Sequence, residues 1–98
     1  MDLFLNRIYS KQKDVIARSI AGEVLLVPIR GKMADMQHIF SINKTGEFIW
    51  NQIDGRRKCF EIRDELISEF QIETGDAERD LREFIEELIE AGLAVQVS

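Results

Sequence analysis

Between residues 15 and 42 the apolar positions fall in short β-branched runs, whereas from residue 43 onward they recur every three or four residues. The chain therefore reads as a strand half followed by a helix half. Val15–Ile20 and Glu23–Ile29 are separated only by Ala21-Gly22, a connection short enough for a hairpin of two antiparallel strands. A looser segment with Gly31, Met33 and Met36 leads to Gln37–Ile42, apolar enough for a third strand. Alternation along it puts His38, Phe40 and Ile42 on one face and Gln37, Ile39 and Ser41 on the other. Phe40 and Ile42 make the first face the more apolar one, so it is expected against the core. Ile39 is then left pointing away.

The helix half opens with Asn43, whose side-chain oxygen suits an N-cap. Gly46, Ile49, Trp50 and Ile53 follow on one helical face, and Asp54-Gly55 ends the helix as a turn pair. Trp50 is expected in the core. A glycine in a first helical turn costs up to about 1 kcal/mol against alanine, so Gly46 implies the close approach of another backbone. Residues 59–70 form a second helix on the stripe Cys59, Ile62, Leu66 and Phe70. Thr74 is placed to cap a third, running from about Gly75 to Ala91, with Asp76 and Glu78 suited to the positive end of its dipole. Its stripe of Ala77, Leu81, Phe84, Ile85, Leu88 and Ile89 is broad enough to serve the core along one edge and something else along the other. After Gly92, Leu93–Val97 reads as a short strand.

Three strands, three helices and a terminal extended piece make an α+β chain with the element string of a winged helix-turn-helix domain. Its 98 residues are expected to form one domain, 1–98, with residues 1–14 as an N-terminal arm. With 45% hydrophobic and 32% charged residues it is a globular composition that buries a modest core without disulfides or metal. No apolar run approaches the roughly 18 residues of a membrane span, and the N-terminus lacks a signal-peptide pattern, so the expected location is the cytoplasm.

A winged helix raises DNA binding as the alternative function, and the charge weighs against it. The net charge is −5. On the third helix, where bases would be read, Asp76, Glu78, Asp80, Glu83, Glu86, Glu87 and Glu90 face only Arg79 and Arg82. Arg56-Arg57-Lys58 is a short basic run in a turn, suited to solvation. Catalysis finds no support either: there is no glycine-rich phosphate loop, no zinc-ligand spacing and no nucleophile with an adjacent base. Cys59 is the single cysteine and His38 the single histidine, on different elements. Cys59 reads as a small hydrophobe of its helix stripe.

The block Ile42-Asn43-Lys44-Thr45-Gly46-Glu47-Phe48-Ile49-Trp50-Asn51-Gln52-Ile53-Asp54-Gly55, with Arg18, Glu23, Glu61-Ile62 and the segment from Leu88 to Leu93, resembles the pyrroloquinoline quinone biosynthesis protein D family. The resemblance covers most of residues 15–97. Lys58 departs from it, standing where members often carry Thr or Ser as a helix cap. Such membership implies a non-catalytic peptide chaperone without a cofactor. The leader of a ribosomally made precursor would add as a strand to the sheet edge and lie between the third strand and the third helix. A separate modifying enzyme, in this family commonly a radical S-adenosylmethionine protein, would then receive it. Strand addition draws affinity from main-chain hydrogen bonds and specificity from alternate side chains. In this numbering the edge would be Gln37, His38, Ile39, Phe40 and Ser41, and the groove wall Leu81, Phe84, Ile85 and Leu88, with Arg82 and Glu78 at the rim. Leu81, Ile85 and Leu88 are wanted more by the core than by the groove, and Phe84 by both about evenly. Open edges invite aggregation, so Leu3–Ile8, or a symmetric partner pairing edge to edge in a homodimer, is expected to shield this one.

Overall fold

The computed structural model describes residues 3–29 and 40–98. A short 3-10 turn, Leu3–Asn6, precedes strand β1, Tyr9–Lys11. Strands β2 (Val15–Ile20), β3 (Glu23–Pro28) and β4 (Phe40–Ile42) follow, then helices α1 (Lys44–Gln52), α2 (Cys59–Phe70) and α3 (Thr74–Glu90), and finally β5 (Ala94–Gln96). The three expected strands form one antiparallel sheet in the order β2-β3-β4, with Ala17 opposite Leu26 and Leu26 opposite Phe40. The hairpin turn works because Ala21 and Gly22 both adopt positive φ, at 52° and 83°. Two such residues give the turn whose twist matches the flanking strands. Of the expected third strand, Gln37, His38 and Ile39 lie outside the described residues.

One strand was not foreseen. β1 pairs antiparallel with β5, Tyr9 opposite Gln96, in a second sheet of two strands. Residues 9–11 of the expected N-terminal arm are thus paired with the strand near residue 96. Phe4 and Tyr9 are buried core residues, and Cys59 donates its backbone N–H to the carbonyl of Arg7 at 3.0 Å. Lys11 fastens the same segment, its Nζ donating to the carbonyl of Ile53 at 2.8 Å and lying 5.3 Å from the Trp50 ring centre. A cation at the end of α1 meets unpaired carbonyls and a π face together. Burial lowers the Lys11 pKa, against the raising influence of Asp54. The segment Leu3–Ile8 therefore packs against α2 and does not shield the edge of β4.

The helices form where the apolar spacing put them. Asn43 caps α1, its Oδ1 accepting from the Gly46 N–H at 2.8 Å. Lys58 gives α2 no side-chain cap of the Ser or Thr kind, but its own N–H donates to Glu61 Oε1 at 2.9 Å, half of a capping box. Thr74 is the first residue of α3 and Glu73 stands at its cap without a side-chain bond, one residue from the expected boundary. Arg63 on α2 reaches Glu78 on α3 at 2.9 Å and ties the two helices at the surface. The interior is filled by Leu26, Ile49, Trp50, Ile53, Ile62, Leu66, Leu81, Ile85 and Leu88, each no more than 3% exposed. Trp50 is core, as expected. Cys59 is wholly buried and burial pushes its thiol up to about 12, so it is a packing residue and not a nucleophile.

Candidate functional site: the edge of β4 beside α3

β4 is the terminal strand of its sheet, and its outward backbone groups follow from the register. A two-residue hairpin closes on a hydrogen-bonded pair, so Ile20 and Glu23 exchange bonds, as do every second pair beyond them. The Ile29 N–H donating to the Asp14 carbonyl at 2.8 Å continues that series. Odd-numbered residues of β3 thus point their N–H and C=O at β2, and Val24 and Leu26 point theirs at Ile42 and Phe40. Ser41 is left facing outward. Within β4 it alone presents both an N–H and a C=O to the open side, while its exposed side chain lies on the face away from the helices.

The wall across from this edge is α3. Phe40 and Phe84 meet edge to face, ring centres 6.5 Å apart and planes at 69°. Both are half-buried, so each covers core on one side and is open to solvent on the other. Gly46 makes the contact possible. A Cβ there would lie 3.0 Å from Phe84 Cε1, 3.1 Å from Ile42 Cβ and 3.3 Å from Asn43 Oδ1. The neighbours that demand glycine are thus side chains, which corrects the expectation of a second backbone. Gly46→Ala is expected to lose about 1 kcal/mol of stability, overpacking outweighing the gain in helix propensity. Thermal unfolding checks this, with Gly46→Ala in a Phe84→Leu background expected to recover most of the loss.

Beside the aromatic pair lies a groove of about 240 Å³ floored by Asn43, Thr45, Gly46 and Ile49 and walled by Asp80, Glu83, Phe84 and Glu87. A second depression of about 600 Å³ crosses the hairpin end of the sheet, from Ser19 and Val24 to Ser41 and Lys44, and shares Asn43 with the first.

The sequence-based candidates divide sharply. Phe40, Ser41 and Phe84 come together at the edge. Leu81, Ile85 and Leu88 are 0%, 1% and 0% exposed and sit in the core, where they hold α3 against α2 and the sheet. Arg82 lies on the opposite side of α3, its guanidinium 4.6 Å from the Phe4 ring centre, so it is no part of this rim. Glu78 is taken by Arg63. Gln37, His38 and Ile39 are outside the described residues. The residues that sequence reasoning missed are Asn43, Thr45, Asp80, Glu83 and Glu87. The spacing of the three acids around Phe84, at three and four residues, was the signal available for them.

The family model described as coenzyme PQQ synthesis protein D (PqqD) matches residues 23–94, well over half of the chain. The chain belongs to the PqqD family. Its PqqD domain is similar in structure to TbiB1 in complex with the TbiA(beta) leader peptide, at 25% identity and a TM-score of 0.70 over 87% of this chain and 93% of that one. It has the same fold as lasso peptide synthetase B1 complexed with the leader peptide, at 20% identity and a TM-score of 0.73 over 89% of this chain and 96% of that one. No curated protein matches it. Among the described residues of this PqqD domain there is no group of three metal-ligating side chains, and no helix is long and apolar enough to cross a membrane.

Proposed function

We propose that this PqqD-family domain binds the leader segment of a ribosomally made precursor peptide as an added strand on β4, and presents it to a separate modifying enzyme. The observation that carries the reading is the outward backbone of Ser41, set beside a half-buried aromatic pair and a groove on α3. An incoming strand gains main-chain hydrogen bonds there, and its alternate side chains drop toward Phe40, Phe84 and the floor of the groove. TbiB1 and lasso peptide synthetase B1, each solved with a leader peptide, support the same use of the fold.

The domain's part is non-catalytic. The single thiol is buried, and the groove is lined by carboxylates and small polar groups. The modifying enzyme, in this family commonly a radical S-adenosylmethionine protein, acts on what the domain holds. DNA binding as the second reading gains nothing from the structure, because α3 turns Glu83, Glu86, Glu87 and Glu90 to solvent.

The test is capture from host lysate on immobilised domain, read by peptide mass spectrometry, followed by titration of the synthetic peptide. One short gene-encoded peptide retained by the wild type and bound in titration supports the reading. Retention of DNA, or of no peptide at all, overturns it.

A further inference from the structure

The three-stranded sheet has a second open edge, and it is the longer one. In the hydrogen-bonding phase set by the Ile20–Glu23 pair, Arg18 and Ile16 also bond to β3, which leaves Val15, Ala17 and Ser19 with N–H and C=O groups directed away from it. Among the described residues no strand pairs with that side of β2. The usual protections of an edge are missing as well. The register runs unbroken from Val15 opposite Pro28 to Ile20 opposite Glu23, so no bulge turns the strand aside, and β2 contains no proline. On the face away from the helices it carries Ile16, Arg18 and Ile20, continued on β3 by Leu25 and Val27, and Ile20 is 52% exposed.

We propose that β2 pairs antiparallel with β2 of a second copy of this chain, about a twofold axis at Ile16, joining the two three-stranded sheets into one. The sequence of the strand fits its own reverse. Val15 and Ala17 carry the outward backbone groups, so they form the hydrogen-bonded pairs, Val15 with the partner's Ala17 and Ala17 with the partner's Val15. Ile16 then meets the partner's Ile16 in the closer, non-bonded pair, a contact between β-branched side chains. Arg18 falls opposite the partner's Asp14, and the symmetry repeats this pair of opposite charges at the other end. Both residues are exposed. A register with Val15 or Ala17 on the axis takes Arg18 away from Asp14, so the charges select one alignment. The net charge of −5 does not oppose the contact, because Lys13 and Arg18 balance Asp14 and Glu23 along the hairpin. The inference is independent of what β4 binds. Pairing at β2 leaves the β4 edge of each copy at an outer margin of the joint sheet, open to its own ligand.

The test is sedimentation equilibrium of the full chain, with circular dichroism and thermal unfolding to check that each variant is folded. A contact of one strand per copy is small, so the wild type should pass from monomer to dimer at about 10–100 μM. Ala17→Pro removes an N–H directed away from β3, which an edge strand tolerates, and should be monomeric throughout. Arg18→Asp and Asp14→Arg each set like charges opposite one another and should weaken dimerisation about tenfold, whereas the double variant Arg18→Asp/Asp14→Arg should return it to within about threefold of wild type. The charge variants carry the test by themselves should Ala17→Pro fail to fold. A wild type that stays monomeric up to about 1 mM overturns the proposal. So does a dimer that folded Ala17→Pro leaves intact, or a double variant no tighter than the single ones.

Discussion

Ser41→Pro is expected to abolish leader binding, a loss of at least tenfold, while the domain keeps its helices and most of its stability. Proline is tolerated on an edge strand when the N–H it removes faces away from the ladder, and the Ser41 N–H does so. Phe40, the residue before it, is already extended, as proline requires of its neighbour. What is lost is the donor an added strand must use, together with the straight approach to its carbonyl. Ser41→Ala is the matched control. Its side chain lies on the face away from α3, so affinity should stay within about twofold of wild type. Isothermal titration with the captured peptide decides the pair. A folded Ser41→Pro protein with wild-type affinity would remove strand addition at β4 from consideration.

The largest loss of stability is expected from Leu88→Ala. Leu88 is fully buried on α3 within the core that includes Leu81 and Ile85. Removing most of a buried leucine costs about 2–5 kcal/mol, through lost burial and the cavity left behind. In a domain of this size each kcal/mol moves Tm by roughly 4–8 °C, so a fall of about 8 °C or more is expected by calorimetry. Phe84→Ala should behave in the opposite proportion. Half of its ring already faces the groove, so it should lose more affinity than stability, whereas Leu88→Ala under conditions where it is folded should bind normally. Equal stability losses at the two positions would contradict the division of α3 into a core seam and a groove shoulder.

That division was partly legible in the sequence. Ala77, Leu81, Ile85 and Leu88 are spaced four, four and three residues apart and mark the centre of the stripe, which places Phe84 and Ile89 on its two shoulders. Arg82 is two residues from Phe84, about 200° around the helix, and belongs with the N-terminal segment across the molecule. Width alone could not say which shoulder meets β4, since that depends on how α3 crosses the sheet. The acids at 80, 83 and 87 looked like an ordinary solvated face for the same reason. Only the packing of Phe84 on Phe40 turns that face into the wall of a groove.

Local pattern served the β2–β3 hairpin and the cap of α1 because each is decided within a few residues. β1 escaped it. Tyr9-Ser10-Lys11 is too short to show an alternation, and its partner, β5, lies at the other end of the chain. The burial of Phe4 and Tyr9 likewise depends on helices that come later. The consequence reaches function: the N-terminal segment is spent on the core beside α2 and gives the edge of β4 no cover.

The most direct test of the account is amide hydrogen exchange of the domain with and without the captured precursor peptide. Strand addition at β4 predicts that the Ser41 N–H becomes strongly protected on binding, while the outward amides of β5 and β2 exchange as before. Protection concentrated on β5 or β2, with Ser41 unchanged, would contradict it.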